Sequence, residues 1–200
     1  MKFNIKMYAD FQCPYCYIGK SIFNSIKDEY DTELTFKSFE IHSDAPQEGI
    51  PVGQYFGTDL DLNENIKAYG KKYGIEMAHL TTVVNSNNAL QVAEYAKEIG
   101  KSEEYNSKMY EAMFIETLNI GQLPVLKEIA ASVGITGEEV DNVLSDEKYK
   151  QIIVDNQHYC TQAGISSVPT FIINDKVKIT GAQPPEVFKE VFEKFEKGNF

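Results

Sequence analysis

The residues in this chain best suited to covalent chemistry are two cysteines three apart, Cys13 and Cys16, in the stretch Asp10-Phe11-Gln12-Cys13-Pro14-Tyr15-Cys16-Tyr17. Ahead of them Phe3, Ile5 and Met7 alternate with polar neighbours, the period of a strand. Behind them Ile18, Ile22, Phe23 and Ile26 are spaced to share one face of a helix. The pair therefore stands where a strand hands over to a helix. Pro14 suits the first turn, where its missing N–H would have had no partner. A first turn carries unpaired N–H groups and the positive end of the helix dipole. A sulfur at Cys13 faces both, and that setting favours the thiolate, the reactive form. The spacing puts both sulfurs on one side of the turn. They either close a small disulfide or present one nucleophile and one resolving thiol.

A structural zinc half-site is the competing use of such a pair, and it requires two further ligands. His158 and Cys160 are the candidates. One residue between two helix-borne ligands is a poor spacing, because neighbours on a helix face are three or four apart. The expectation is redox use and no metal. Cys160 reads as a small apolar residue packed on a helix, with a third redox thiol as the alternative. Asp10 either caps the first helix region, or instead relays a proton from Cys16 or tunes the pair. His42 and His79 fall in predicted loops and read as solvated side chains.

The elements that must position these residues follow from the rest of the chain. Leu34 to Phe39 alternates as a second strand, and residues 40–57 read as one long loop rich in Pro, Gly and acidic residues. From about Asp61 the period becomes helical for roughly a hundred residues, too long for one helix. Leu62, Ile66, Tyr69 and Tyr73 suggest a helix stopped at Gly74, and Asn85-Ser86-Asn87-Asn88 a cap for one ending at Gly100. Ser102 is the expected cap of the next, with Tyr105, Met109, Ala112 and Met113 inward. Residues 123–133 form another, Thr136-Gly137-Glu138-Glu139 has the form of a capping box, and Ser145 is expected to open a longer helix closed by Gly164. Then Thr170-Phe171-Ile172-Ile173 is a candidate central strand, Asn174-Asp175 a turn, and Val177-Lys178-Ile179 its hairpin partner. Pro184-Pro185 opens a last helix with Val187, Phe188, Val191, Phe192 and Phe195 inward. The order implies an α/β protein whose sheet is built from both ends of the chain. The predicted domains are 1–60 with 165–200, discontinuous, and a helical insertion at 61–164.

Two hundred residues suit one domain, or one with a large insertion. A net charge of −11 argues against a nucleic-acid partner, which an acidic surface repels. No apolar run reaches the ~18 residues of a membrane span. The first residues alternate and hold Lys2 and Lys6 rather than a continuous apolar segment, so no signal peptide and a cytoplasmic location are expected.

Cys13-Pro14-Tyr15-Cys16 after a first strand, with Ser167-Val168-Pro169-Thr170 before a late one, resembles the thioredoxin superfamily. The helical insertion narrows the resemblance to DsbA-like thiol–disulfide oxidoreductases. The run from Asp10 through Gly19, Val168-Pro169-Thr170-Phe171-Ile172-Ile173, Gly181-Ala182-Gln183-Pro184-Pro185, and Asn119-Ile120-Gly121 through Leu126 are similar to the FrnE subgroup. The resemblance implies a thioredoxin-like fold, a mixed sheet flanked by helices, with an inserted all-helical domain. It implies Cys13 as the attacking thiolate and Cys16 as the resolving thiol. It implies a cis Val168–Pro169 bond, the one kind of peptide where cis is cheap, at about 0.5–1 kcal/mol. Val168, Pro169 and Tyr15 would then meet the substrate, while Pro14 and Asp10 tune the pair. No cofactor is implied. The expected partner is a disulfide-containing protein or a small thiol, glutathione included, and the chain a monomer or homodimer. Hydroxychromene-carboxylate isomerases and kappa-class glutathione transferases share the fold, and usually carry Ser where Cys13 stands. A glutathione-dependent isomerase or transferase is thus the rival enzyme, and a peptide-binding or chaperone-like module the non-enzymatic one.

Overall fold

The computed structural model describes residues 1–57 and 63–199. The expected helix start at Asp61 and the inward Leu62 lie outside the described residues. At the centre is β1 (Phe3–Ala9), buried on the face of Phe3, Ile5 and Met7 as the alternation predicts. It runs parallel to β2 (Thr32–Ser38) and antiparallel to β5 (Thr170–Ile173), and β5 pairs with β6 (Val177–Thr180). The sheet order is β2-β1-β5-β6, so β5 is central, as its unbroken apolar run requires. Asn174 and Asp175 turn the hairpin with φ of 50° and 54°, the left-handed region a two-residue primed turn demands. The Asn174 Oδ1 accepts the Asn4 N–H at 2.9 Å and ties that turn back to β1.

Two helices cover the Phe3 face. One is α1 (Pro14–Asn24), which directly follows the cysteine-bearing turn, and the other is α9 (Pro185–Glu196). Phe192 packs at a tilt against Phe3 at 4.4 Å and Tyr30 at 4.8 Å, while Phe188 meets Phe171 edge-on at 5.0 Å. Between β2 and β5 the chain forms α3 (Asn63–Lys71), α4 (Asn87–Glu98), α5 (Ser102–Phe114), α6 (Leu123–Ser132), α7 (Gly137–Ser145) and α8 (Glu147–Gln162). The aromatic and methionine side chains of α5 point inward as their spacing implies, with Tyr105, Met109 and Tyr110 fully buried. They join one apolar cluster with Phe11 and Phe36, so the helices and the sheet share a core. A smaller cluster on the other sheet face holds Tyr8, Cys160, Ile165 and Ile172.

The capping box forms: Thr136 Oγ1 accepts the Glu139 N–H at 3.2 Å and Glu139 Oε2 accepts the Thr136 N–H at 2.7 Å. Tyr95 donates to the same carboxylate, and these donors hold Glu139 at about 2. Three expectations shift. Residues 40–57 are not one loop, for Ile50–Pro51 (β3) pairs antiparallel with Thr82–Val83 (β4), and Val52–Phe56 forms the short helix α2. A two-residue strand containing proline has no period to read, and its partner lies far along the chain. Ser102 is the first helical residue of α5, with Lys101 at the cap position. Ser145 ends α7, and Asp146 caps α8 by accepting the Lys148 N–H at 2.9 Å, since a carboxylate serves an N-terminus as well as a hydroxyl and adds favourable charge.

Phe192 has no exposed surface. Replacing it with Ala is expected to lower the unfolding free energy by about 3–5 kcal/mol, as deletion of a fully buried aromatic does. Urea denaturation checks this, and a loss below about 1 kcal/mol, far under that range, contradicts the packing described.

Candidate active site

The cysteine turn leaves β1 and enters α1 through three backbone contacts. Cys13 N–H donates to Asp10 O at 3.2 Å, Cys16 N–H to Cys13 O at 3.0 Å, and Tyr17 N–H to Cys13 O at 3.4 Å. Cys13 is the N-cap residue, extended at φ −92° and ψ 110°, and Pro14 occupies the first helical position. The Cys13 side chain thus stands at the helix tip, where the dipole argument placed it. Because β5 pairs antiparallel with β1, Tyr8 opposite Thr170, the chain entering β5 crosses the same end of the sheet. Its Val168–Pro169 peptide is cis. The Cys13 Sγ lies 3.6 Å from Val168 O and donates to it. Gly19 explains how closely α1 approaches this segment: a Cβ there would sit 2.9 Å from Pro169 Cγ, on a rigid ring with nowhere to yield.

The two sulfurs differ in their surroundings. Cys13 retains 6% of its surface and Cys16 none, so only Cys13 can meet a partner from solution. Burial pushes the Cys16 thiol well above its usual range, and the adjacent Cys13 sulfur adds to this. Both thiols are free, as is Cys160.

Asp10 is fully buried behind the pair. It does not cap α1. Its Oδ1 accepts the Gln12 N–H at 2.9 Å, ahead of the helix, and its Oδ2 accepts the Ile41 N–H at 2.7 Å. Burial raises its carboxyl to about 6, against the pull of Gln12, Ser86 and Ile41 as donors. Gln12 Oε1 accepts the Val84 N–H at 2.8 Å, and the Tyr110 hydroxyl donates to Asp10 O at 3.4 Å. The motif is therefore stitched to segments 31, 72 and 100 residues away. Gln12, Ile41, Ser86 and Tyr110 escaped the reading of the sequence, since no local pattern marks a residue whose partner is that distant. Tyr15 is 40% exposed, and its ring stands 6.3 Å from Tyr69.

The remaining candidates lie elsewhere. Cys160 packs with Tyr8, Ile165 and Ile172, and burial pushes its thiol up to about 11. It is a packing residue in that cluster, apart from the cluster that holds Cys13 and Cys16. Among the described residues no three of His, Cys, Asp or Glu gather as metal ligands, and His158 pairs with Gln162 at 2.8 Å. His79 is exposed and lies 3.4 Å from Asn63. His42 is not solvated: half-buried, it bonds to Tyr55 and packs against Phe56, because the unforeseen α2 covers it.

The model of the DSBA-like thioredoxin domain family matches residues 4–193. The chain is 32% identical to the Bacillus subtilis (strain 168) protein YwbO over 197 residues, 95% of this chain and 96% of that one. Its fold is similar to the crystal structure of a probable DsbA oxidoreductase, SCO1869 from Streptomyces coelicolor, with a TM-score of 0.86, 23% identity, and 94% and 88% of the two chains covered. It is also similar to the cytosolic disulfide reductase DsbM from Pseudomonas aeruginosa, solved with GSH, with a TM-score of 0.71, 15% identity, and 97% and 99% covered.

Asp10 gives a testable pH dependence. Its folded-state value of about 6 lies above the ~3.9 of an unfolded aspartate, so the folded chain holds that proton more tightly. The associated stability is present at low pH and lost as pH rises from about 4 to about 6, roughly 3 kcal/mol in all. Subtracting the urea-derived stability of reduced Asp10→Asn from that of reduced wild type should reveal this falling limb. A difference that stays level across the window contradicts the burial of an ionisable Asp10.

Proposed function

Because this chain belongs to the family of DSBA-like thioredoxin domains, we propose that it is a thiol–disulfide oxidoreductase working through Cys13 and Cys16. The observation that carries this reading is the Cys13 sulfur at a helix tip, 3.6 Å from the Val168 carbonyl, with the second thiol buried behind it. The Cys13 thiolate attacks one sulfur of a substrate disulfide. The S–S bond breaks, the other substrate sulfur leaves as a thiolate and takes up a proton, and a mixed disulfide remains. The Val168 backbone beside Cys13 holds the substrate segment in an extended strand. Cys16 then loses its proton and attacks the Cys13 sulfur, releasing the second substrate thiol. The substrate has gained two electrons and two protons, and the Cys13–Cys16 disulfide has formed. The reverse sequence oxidises a dithiol.

Cys16 holds its proton tightly, so its deprotonation needs an acceptor. Asp10, largely ionised at pH 7 with a carboxyl at about 6, takes that role, directly or through a water. Pro14 fixes the helix start, and Tyr15 with Pro169 borders the place where the substrate sits. Residues 61–164 act as a helical insertion that walls the site.

The direction is that of a reductase or isomerase in a reducing cytoplasm, and no bound cofactor is required. The described residues contain no helix long and apolar enough to cross a membrane, which fits a protein acting in solution. The name and ligand of the DsbM structure favour a small thiol such as glutathione as the recycling partner.

Cys13→Ser is expected to abolish exchange with a disulfide substrate, while Cys16→Ser forms the mixed disulfide and fails to resolve it. Mass spectrometry of the quenched reaction reads both. Full exchange by Cys13→Ser, or no trapped adduct on Cys16→Ser, refutes the assignment. Asp10→Asn should slow the resolving step on the order of a hundredfold, the usual worth of a positioned base, and flatten its rise with pH near 6.

A further inference from the structure

A cavity of about 190 Å³ opens beside the cysteine pair, between Pro14 and Tyr15 on one side and Ile41, Phe56, Ile66 and Leu80 on the others. It is smaller than the ~300–1,000 Å³ of a pocket that swallows a whole ligand, and fits a single large side chain. Among the described residues no lysine, aspartate or glutamate lines it, in a chain whose net charge is −11. A charged occupant would lose its hydration and gain no counter-charge from those residues.

The lining also carries the polar side chains of Gln12, Tyr15, His42, Asn63 and Thr82. Gln12 Oε1 already accepts the Val84 N–H and Asn63 Oδ1 the Leu80 N–H, while the His42 ring is differently placed. The Tyr55 hydroxyl has a single hydrogen, and it goes to Asp44 Oδ1 at 2.6 Å. The same oxygen lies 3.2 Å from His42 Nδ1, so there it accepts, and Nδ1 carries the proton. The tautomer leaves Nε2 as a bare acceptor. Tyr55 stands outside the cavity lining, so the Nδ1 edge of the ring faces away from it. Tyr55 and Phe56 clamp the ring edge-on at 4.9 Å and 5.6 Å. Burial lowers the value of this histidine, which keeps it neutral at pH 7. Among the described residues Nε2 has no hydrogen-bond partner, in a ring held rigidly at an apolar cavity.

We propose that this cavity is the specificity pocket of the exchange site, and that it takes a tryptophan or tyrosine side chain next to the substrate's disulfide, whose N–H or O–H donates to His42 Nε2. The apolar walls take the ring, and the His42 acceptor takes the one donor these two side chains carry. Phenylalanine would fill the space and leave the acceptor unpaired. The proposal rests on the assignment of Cys13 and Cys16 as the exchange pair, because that assignment supplies the substrate whose neighbouring residue is read.

The chain contains no tryptophan, so the fluorescence of a tryptophan peptide reports its binding without background. A short peptide with Trp next to Ser, the serine standing where the substrate cysteine would be, is titrated into the protein alongside Ala and Phe analogues. The Trp peptide should bind with a blue-shifted emission, about tenfold tighter than the Ala analogue, the worth of burying an aromatic ring. His42→Phe should reduce the Trp peptide to the level of the Phe peptide, and Ile66→Asp should abolish binding of both. Equal affinity of the Trp and Ala peptides, or a Trp peptide indifferent to both variants, overturns the proposal. Disulfide-linked forms of the same peptides separate the two readings. Exchange that proceeds at one rate for all of them overturns the pocket and leaves the redox assignment standing. Selective Trp binding with no exchange upholds the aromatic pocket but removes the redox assignment, and with it the pocket's role in exchange.

Discussion

The antiparallel register of β1 against β5 is the constraint on which the rest of the site depends. With Tyr8 opposite Thr170, the end of one strand and the beginning of the other are locked at the same edge of the sheet. The turn that carries Cys13 and the turn that carries Val168 and Pro169 then meet, although they are 155 residues apart in the chain. Neither turn makes the proposed thiol exchange site alone. A cysteine at a helix tip has a charge environment but no surface on which to align a substrate, and a bent extended segment has the surface but no nucleophile. The buried faces of Phe3, Ile5, Met7, Phe171 and Ile173 keep the two strands from slipping, because a shift of one residue would turn that apolar row toward water.

Burial then makes the two cysteines unequal. Helix geometry puts both sulfurs near one turn, but α1 leans its second sulfur wholly into the core while the first keeps a small exposed area. The same burial acts on Asp10, whose carboxyl is fed by backbone N–H groups from Gln12 and Ile41 yet still lies above its ordinary value. Desolvation outweighs those donors. A thiol that resists ionising and a carboxyl that ionises near 6 are thus neighbours in one closed space, the arrangement through which the proposed exchange would pass its proton.

What could be read directly from the sequence was whatever depends on neighbours along the chain. The alternation of β1, the proline at the start of α1, the capping box at Thr136 and the Asn174-Asp175 turn each follow from local sterics or local hydrogen bonds, and each is where it was expected. The cysteine pair belongs to the same group. What escaped depends on partners brought from afar. The β3–β4 ribbon has two residues per strand and no period. The bonds from Asp10 to Ile41 and from Gln12 to Val84 join residues that only the finished fold makes neighbours. His42 was misread for that reason, since its burial comes from α2, a helix of five residues too short for an amphipathic repeat and without a side-chain N-cap to announce it.

The central claim is that Cys13 and Cys16 are a reversible two-electron couple and that Cys160 stands apart from it. A titration of the protein across glutathione redox buffers, quenched in acid and mapped by mass after alkylation, tests it most directly. The account predicts one transition in which Cys13 and Cys16 become linked together while Cys160, buried against Tyr8 and Ile172, remains a thiol throughout. A chain in which no Cys13–Cys16 disulfide forms at any ratio, or in which the first bond to form involves Cys160, would contradict it.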